Sequence, residues 1–132
     1  MSQQRRPQVR VDEEMTVITK AYDLVREMTG RVGKFPRDYR FLLGDRILRN
    51  AYDVRDILIE ARYSREKDAL LTRANLRLEQ MRFQIRLAHD ERMMSHQQYG
   101  VAAGLVDEVG RLVGGWKRSR AVQPEAPPTQ SG

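Results

Sequence analysis

A chain of 132 residues is long enough for one domain with a buried core and too short for two ordinary domains. It contains no cysteine, which excludes disulfides and thiolate metal sites and favours a reducing, cytoplasmic compartment. The net charge of +6 comes from 24 basic and 18 acidic residues. Twenty of the basic residues are arginine, whose planar guanidinium binds phosphate in a bidentate way.

The N-terminal part reads as a flexible basic segment, residues 1–11, followed by a first helix. No apolar run follows the early arginines, so a secretory signal is not expected, and no apolar stretch is long enough for a membrane span. Acidic residues from Asp12 onward suit the positive end of a helix dipole. Spacings of three and four predict the inward positions Met15, Ile18, Tyr22 and Val25.

The second and third helices follow with short connections. Pro36 suits the first turn of a helix that runs to about Ala61. After a turn, Ser64 is the predicted N-cap of the third helix. The predicted inward positions are Leu43, Ile47, Asn50, Val54 and Ile57 in the second helix and Leu71, Ala74, Leu78, Met81, Ile85 and Ala88 in the third.

A capping box between Ser95 and Gln98 marks the start of the fourth helix, and Met94 and Tyr99 are placed to form a hydrophobic staple. Its inward positions are Tyr99, Ala102, Val106, Val109, Val113 and Trp116. Four such segments with short connections predict an all-α fold, an antiparallel up-down four-helix bundle over residues 12–117. Residues 118–132 contain three prolines and little to bury, which predicts a disordered tail.

A second apolar stripe runs along the outer face of the second and third helices. At about 100° per residue, these side chains lie nearly opposite the core positions. They are Phe41, Leu48, Tyr52, Ile59, Leu76, Phe83 and Leu87. Scattered surface hydrophobes are the ordinary alternative, but regular spacing favours an interface, because large apolar patches rarely stay exposed. We therefore expect a homo-oligomer, whose copy number does not follow from the spacing.

No arrangement of residues points to catalysis or to a bound cofactor. The two histidines, His89 and His96, lie at the end of the third helix and the start of the fourth, without the partners that a di-iron bundle needs. Ser64 has no histidine within its segment to activate it. The sequence therefore predicts a protein that is not an enzyme and has no cofactor or metal.

The arginines are the candidate binding residues. Two pairs at i, i+4 spacing flank the third helix, and one pair opens the second helix, so each pair presents two guanidinium groups on one face. They are Arg37, Arg40, Arg73, Arg77, Arg82 and Arg86. A salt-bridged surface remains open for any single one, since Glu79, Asp45, Asp53 and Asp56 are near in sequence. As a set, they favour a nucleic acid or an acidic protein as partner.

Several ordered motifs lie along about residues 15–118. They are Lys34-Phe35-Pro36-Arg37, Arg40-Phe41, Gly44-Asp45-Arg46-Ile47, Glu60-Ala61-Arg62-Tyr63-Ser64-Arg65, Arg73-Ala74-Asn75-Leu76, Arg82-Phe83, Gly110-Arg111-Leu112 and Gly114-Gly115-Trp116. In order and spacing these motifs resemble the accessory variability determinants of diversity-generating retroelements. The wider superfamily, the 23S rRNA intervening-sequence proteins, is similar in being built of four-helix bundles.

The resemblance implies a basic, barrel-like homopentamer that binds a reverse transcriptase and the template-repeat RNA. In that role the protein supports synthesis of adenine-mutagenised cDNA and mutagenic retrohoming, while the partner performs the polymerase chemistry. The alternative is a bundle of the intervening-sequence type that acts as a protein-only assembly factor, with its basic face on an acidic partner. The tail after Lys117 has no counterpart among the motifs and no assigned role.

Overall fold

Four helices account for the part of the chain that the computed structural model describes, residues 2–122, with side chains described for 11–120. Helix α1 is Ser2–Val32. Helix α2 is continuous through an α-helical turn Arg37–Tyr39, a π-helical segment Arg40–Gly44 and a long α-helical part Asp45–Tyr63. Helix α3 is Lys67–Asp90 and helix α4 is His96–Val122. These residues include no strand, as the sequence predicted.

Each helix packs against two neighbours, so the four form a square bundle in the order α1, α2, α3, α4. The antiparallel register of α2 and α3 is visible in two cross-helix contacts, Asp53 with Arg77 and Asn50 with Gln84. The connections 33–36 and 91–95 therefore lie at one end of the bundle, and the connection 64–66 lies at the other. We call the end that holds 33–36 and 91–95 the two-loop end, and it comprises residues 33–40 and 89–96.

The core positions predicted for α2, α3 and α4 are confirmed. All of those on α2 and α3 are buried, as are those on α4 apart from the half-buried Tyr99. The capping box is confirmed as well, because the Gln98 amide donates to Ser95 Oγ and the Ser95 amide donates to Gln98 Oε1, both at 3.0 Å. Met94 is buried and Tyr99 packs against the core, as a hydrophobic staple requires.

The inward face predicted for α1 is wrong at two of its four positions. Met15 and Tyr22 are 42% and 50% exposed, and Ile18 is only half-buried, while Val25 is in the core. The buried apolar positions of this helix are Val17, Ala21, Leu24, Val25, Met28 and Val32. Two apolar stripes with helical spacing share α1, and the prediction followed the stripe with the larger side chains.

The helix ends also differ from the predictions. Helix α1 begins at Ser2 rather than near Asp12, although the side chains of 1–10, within the segment predicted to be flexible, lie outside the described residues. Ser64 is not the N-cap of α3, because its hydroxyl accepts from the amide of Glu66 and the helix starts at Lys67. Helix α4 continues to Val122. The rest of the predicted disordered tail, 123–132, lies outside the described residues.

The π-helical segment packs closely against the end of α1 at Gly44. Gly44 is buried, and a Cβ atom there would lie 2.5 Å from Val32 Cγ1 and 3.5 Å from Phe35. Valine is stiff at χ1, so this neighbour has little room to turn away. The missing side chain of Gly44 therefore lets α1 and the start of α2 approach closely.

We expect Gly44→Ala to destabilise the protein by about 1–3 kcal/mol, because the added methyl overpacks this contact. Gly104→Ala is the matched control, since a Cβ on that exposed helical glycine meets nothing within 4 Å. The control should be neutral or stabilising by up to about 1 kcal/mol. Urea unfolding at one fixed protein concentration measures both. Equal changes in the free energy of unfolding for the two variants would contradict the packing role of Gly44.

Candidate nucleic-acid and partner interface

Apolar side chains lie on the outside of α2 and α3 where the sequence placed them. Phe41 and Phe83 are 73% and 69% exposed, and the half-buried Leu48 is the most covered of the set. The remaining members, all exposed, are Tyr52, Ile59, Leu76 and Leu87. The residues predicted for an interface are therefore accessible in the single chain.

A groove between α2 and α3 collects part of this apolar surface. Phe83 and Leu87 line it from α3, and Leu42 lines it from the π-helical segment. Leu42 is 68% exposed and was missed by the sequence reasoning, because its position depends on the π-helical segment. The floor is polar, with Asn50 Nδ2 donating to Gln84 Oε1 at 3.1 Å. The groove thus combines apolar walls with a hydrogen-bonded floor.

A further apolar face lies between α1 and α2. Arg62 of α2 contacts α1 through Glu14, with its Nε 3.5 Å from a carboxylate oxygen, and through the Met15 sulfur, 3.2 Å from a guanidinium nitrogen. Because α1 and α2 are antiparallel and meet at Arg62, the exposed side chains of Met15 and Tyr22 on α1 lie beside the end of the α2 stripe that contains Ile59. Residues that the sequence assigned to the core therefore widen the exposed apolar surface.

Three of the six predicted arginines are tied to carboxylates. Arg77 Nε lies 3.3 Å from Asp53 on α2, which links α2 to α3. Arg82 donates to Asp107 on α4 at 2.9 Å and also pairs with Glu79. Arg86 lies 3.8 Å from Asp90 one turn along α3. In the single chain these three arginines therefore form salt bridges, which was the alternative to a binding role.

The other three, Arg37, Arg40 and Arg73, are exposed and form no ion pair among the described residues. The structure does not gather all six in one place. Arg37 and Arg40 lie at the two-loop end, whereas Arg73 lies on α3 towards the opposite end. Lys34, also exposed and without an ion pair in the described part, sits beside the first two. The sequence reasoning left it out because it considered arginine pairs on helices.

The described residues hold no group of three or more histidine, cysteine or acidic side chains able to bind a metal ion. Within them, no helix is long and apolar enough to cross a membrane. What this surface offers is unpaired positive charge together with accessible apolar area, which are the means of binding a polyanion and another protein surface.

Comparison with known proteins gives a family. A family model described as bAvd-like matches residues 15–120, which is most of the chain and covers the bundle almost completely. Searches of the curated proteins and of the solved structures found no match. The match begins one residue after the buried Glu14 and ends just past the predicted end of the bundle at 117. The four-helix chain therefore belongs to the bAvd-like family.

Proposed function

We propose that this protein is a non-enzymatic accessory component of a diversity-generating retroelement. It binds the reverse transcriptase and the template-repeat RNA, and so supports mutagenic cDNA synthesis and retrohoming. The observation that carries the proposal is membership of the bAvd-like family, which is an accessory, non-catalytic type of protein. The exposed cations and apolar faces supply the binding surfaces that such a role needs.

Binding of RNA is supported by the charge of the chain. Fifteen basic and 10 acidic residues lie between positions 31 and 92, so the central helices carry most of the positive field. Arginine and lysine side chains that neutralise phosphates release condensed counterions, and this release drives association without regard to sequence. Cations such as Arg37 and Arg40, which have no carboxylate partner in the described chain, can make this exchange without breaking an ion pair.

Assembly of several copies is supported by the position of the apolar faces. The stripe of α3 (Leu76, Phe83 and Leu87) and the face between α1 and α2 (Met15, Tyr22, Tyr52 and Ile59) look outwards from different sides of the bundle. Joining one face to the other gives a head-to-tail contact, which closes into a ring when the rotation between copies allows it. We propose a ring of this kind, with five copies as the resemblance of the sequence implies.

For the ring we expect Phe83→Glu and Tyr52→Glu each to give monomers, because each places a charge in one half of the contact. Val101→Glu is the control, since Val101 is exposed on α4, away from both faces. Light scattering after size exclusion measures the masses. The control should keep the mass of the unmodified protein, a multiple of 15.4 kDa.

Mixing the two monomeric variants tests the head-to-tail arrangement. Each variant keeps the face that the other has lost, so an equimolar mixture should form a one-to-one dimer with a single intact contact. If the interface joined two identical faces, the two variants would not rescue each other. Monomeric unmodified protein, or a mixture that stays monomeric, would contradict the ring.

For RNA we expect the affinity to fall with salt, with a slope of log K against log salt of about −0.7 for each neutralised phosphate of a single strand. Fluorescence anisotropy with a labelled template-repeat RNA at several salt concentrations measures that slope. No binding at physiological salt, together with co-purification of an acidic protein partner, would instead support the protein-only assembly factor.

The genome gives an independent test. We expect a reverse-transcriptase gene near the gene for this protein, and a pair of near-identical repeats that differ at adenines of the template copy. Sequencing of the surrounding region checks both. Their absence, with no reverse transcriptase encoded nearby, would contradict the retroelement role while leaving the bundle and its family unaffected.

A further inference from the structure

We propose that the two-loop end of the bundle is the surface that contacts nucleic acid, and that it selects single-stranded segments. This inference rests on the proposed binding of RNA. It assigns that binding to the two-loop end rather than to the arginines along α3. The contact comprises three cations in and just after the connection between α1 and α2, and the two histidines that flank the turn between α3 and α4. Charge, ring stacking and position in the fold each support it.

The first support is the availability of the charges. Lys34, Arg37 and Arg40 fall within one short stretch, are exposed, and have no ion-pair partner among the described residues. By contrast, Arg77 and Arg82 are held by carboxylates of neighbouring helices, and a phosphate approaching them would meet those carboxylates too. The free cations therefore attract a phosphate chain more strongly than the paired ones.

The second support is a group of rings at the same end. The His89 ring stacks on the Tyr99 ring, with centroids 4.6 Å apart and planes 28° apart. His96 lies 5.7 Å from His89 with its ring tilted, and it is exposed. Tyr99 packs against the core, so the stack has a rigid base. Flat rings of this kind hold unpaired bases by stacking, whereas the bases of a duplex are already stacked on each other.

The shape and charge of the turn fit a nucleotide chain. A surface cleft there is lined by His89, Arg92 and Gln98, together with Asp90, Met93, Met94 and Ser95. Arg92 is exposed and has a φ of 65°, the left-handed conformation that reverses the chain between the helices. The acidic residues nearby are Asp38, Asp90 and Glu91; Asp90 lies 3.8 Å from Arg86, whose charge offsets its own.

The third support is the topology. In an up-down bundle the connection 33–36 and the turn 91–95 lie at the same end, and neighbouring helix axes are about 8–10 Å apart. A strand lying over this end therefore spans from the cations to the rings within a few nucleotides, since the phosphates of one DNA strand are spaced by about 3.4 Å of helix axis even when stacked. The cations hold the backbone and the rings hold the bases.

The test compares two triple variants that remove the same charge. One changes the end cations, Lys34→Gln with Arg37→Gln and Arg40→Gln. The control changes three exposed arginines without ion pairs in the described chain, Arg65→Gln with Arg111→Gln and Arg118→Gln. The probes are an unstructured 20-nucleotide RNA and its duplex, read by anisotropy across salt. We expect the end triple to lose at least about tenfold in single-strand affinity and to flatten the salt slope by about 2, and the control to change less than about threefold.

Ring stacking is tested separately. His89→Ala with His96→Ala should lower single-strand affinity by about tenfold and duplex affinity by less than twofold, because stacking on unpaired bases is lost. His89→Phe with His96→Phe keeps the rings and should bind within about threefold of the unmodified protein. Thermal unfolding of every variant shows whether a loss of affinity comes from misfolding. If the alanine pair misfolds, the stacking test rests on the phenylalanine pair alone.

The outcomes separate this inference from the proposed function. If the unmodified protein binds neither probe, the binding of RNA fails and the inference fails with it. If it binds and both triples lose affinity equally, binding is general electrostatics and only the inference is overturned. Only the inference is likewise overturned if the triple variant Arg77→Gln with Arg82→Gln and Arg86→Gln is the one variant that loses RNA affinity. If RNA binding is unchanged in the end triple but co-purification of the reverse transcriptase is lost, this end contacts protein instead.

Discussion

The constraint on which the structure depends is that three of its helices have more apolar surface than one bundle core can bury. Each of α1, α2 and α3 meets the core through one stripe and keeps large side chains outside it, such as Tyr22, Phe41 and Phe83. A square bundle offers each helix one inward face, so the second stripe has no place within the chain. The exposed stripes are the reason for proposing that further copies or a partner cover the sides of this small basic domain.

The same constraint explains how far the sequence predicts the fold. On α3 and α4 the inward residues recur at three and four without a break, and the predictions from Leu71 to Ala88 and from Ala102 to Trp116 hold. On α1 two stripes fit the helical period, and the buried one is the stripe with the smaller side chains, such as Ala21. The π-helical segment, in which Gly44 closely approaches Val32, has no signal in periodicity.

Candidate binding residues are less predictable than the core, because their availability is decided by other helices. Spacing alone placed Arg73, Arg77, Arg82 and Arg86 on the flanks of α3. Whether each is free depends on carboxylates far away in sequence, as Asp107 is from Arg82. Lys34 is the opposite case, a residue in a connection with no periodicity to mark it, which is exposed and has no ion pair among the described residues.

The two proposals, for assembly and for nucleic acid, constrain each other. If copies join side to side through α3 and the face between α1 and α2, those contacts cover much of the lateral surface, and arginines beside them lose access to a long polyanion. The ends of the bundle remain open whatever the number of copies. A ring would then repeat Lys34, Arg37 and Arg40 once per copy around its rim, and because fields of like charge add, the rim would attract a flexible strand more strongly than one chain does. The proposed assembly would therefore concentrate the unpaired charges of Lys34, Arg37 and Arg40 at one end of the ring.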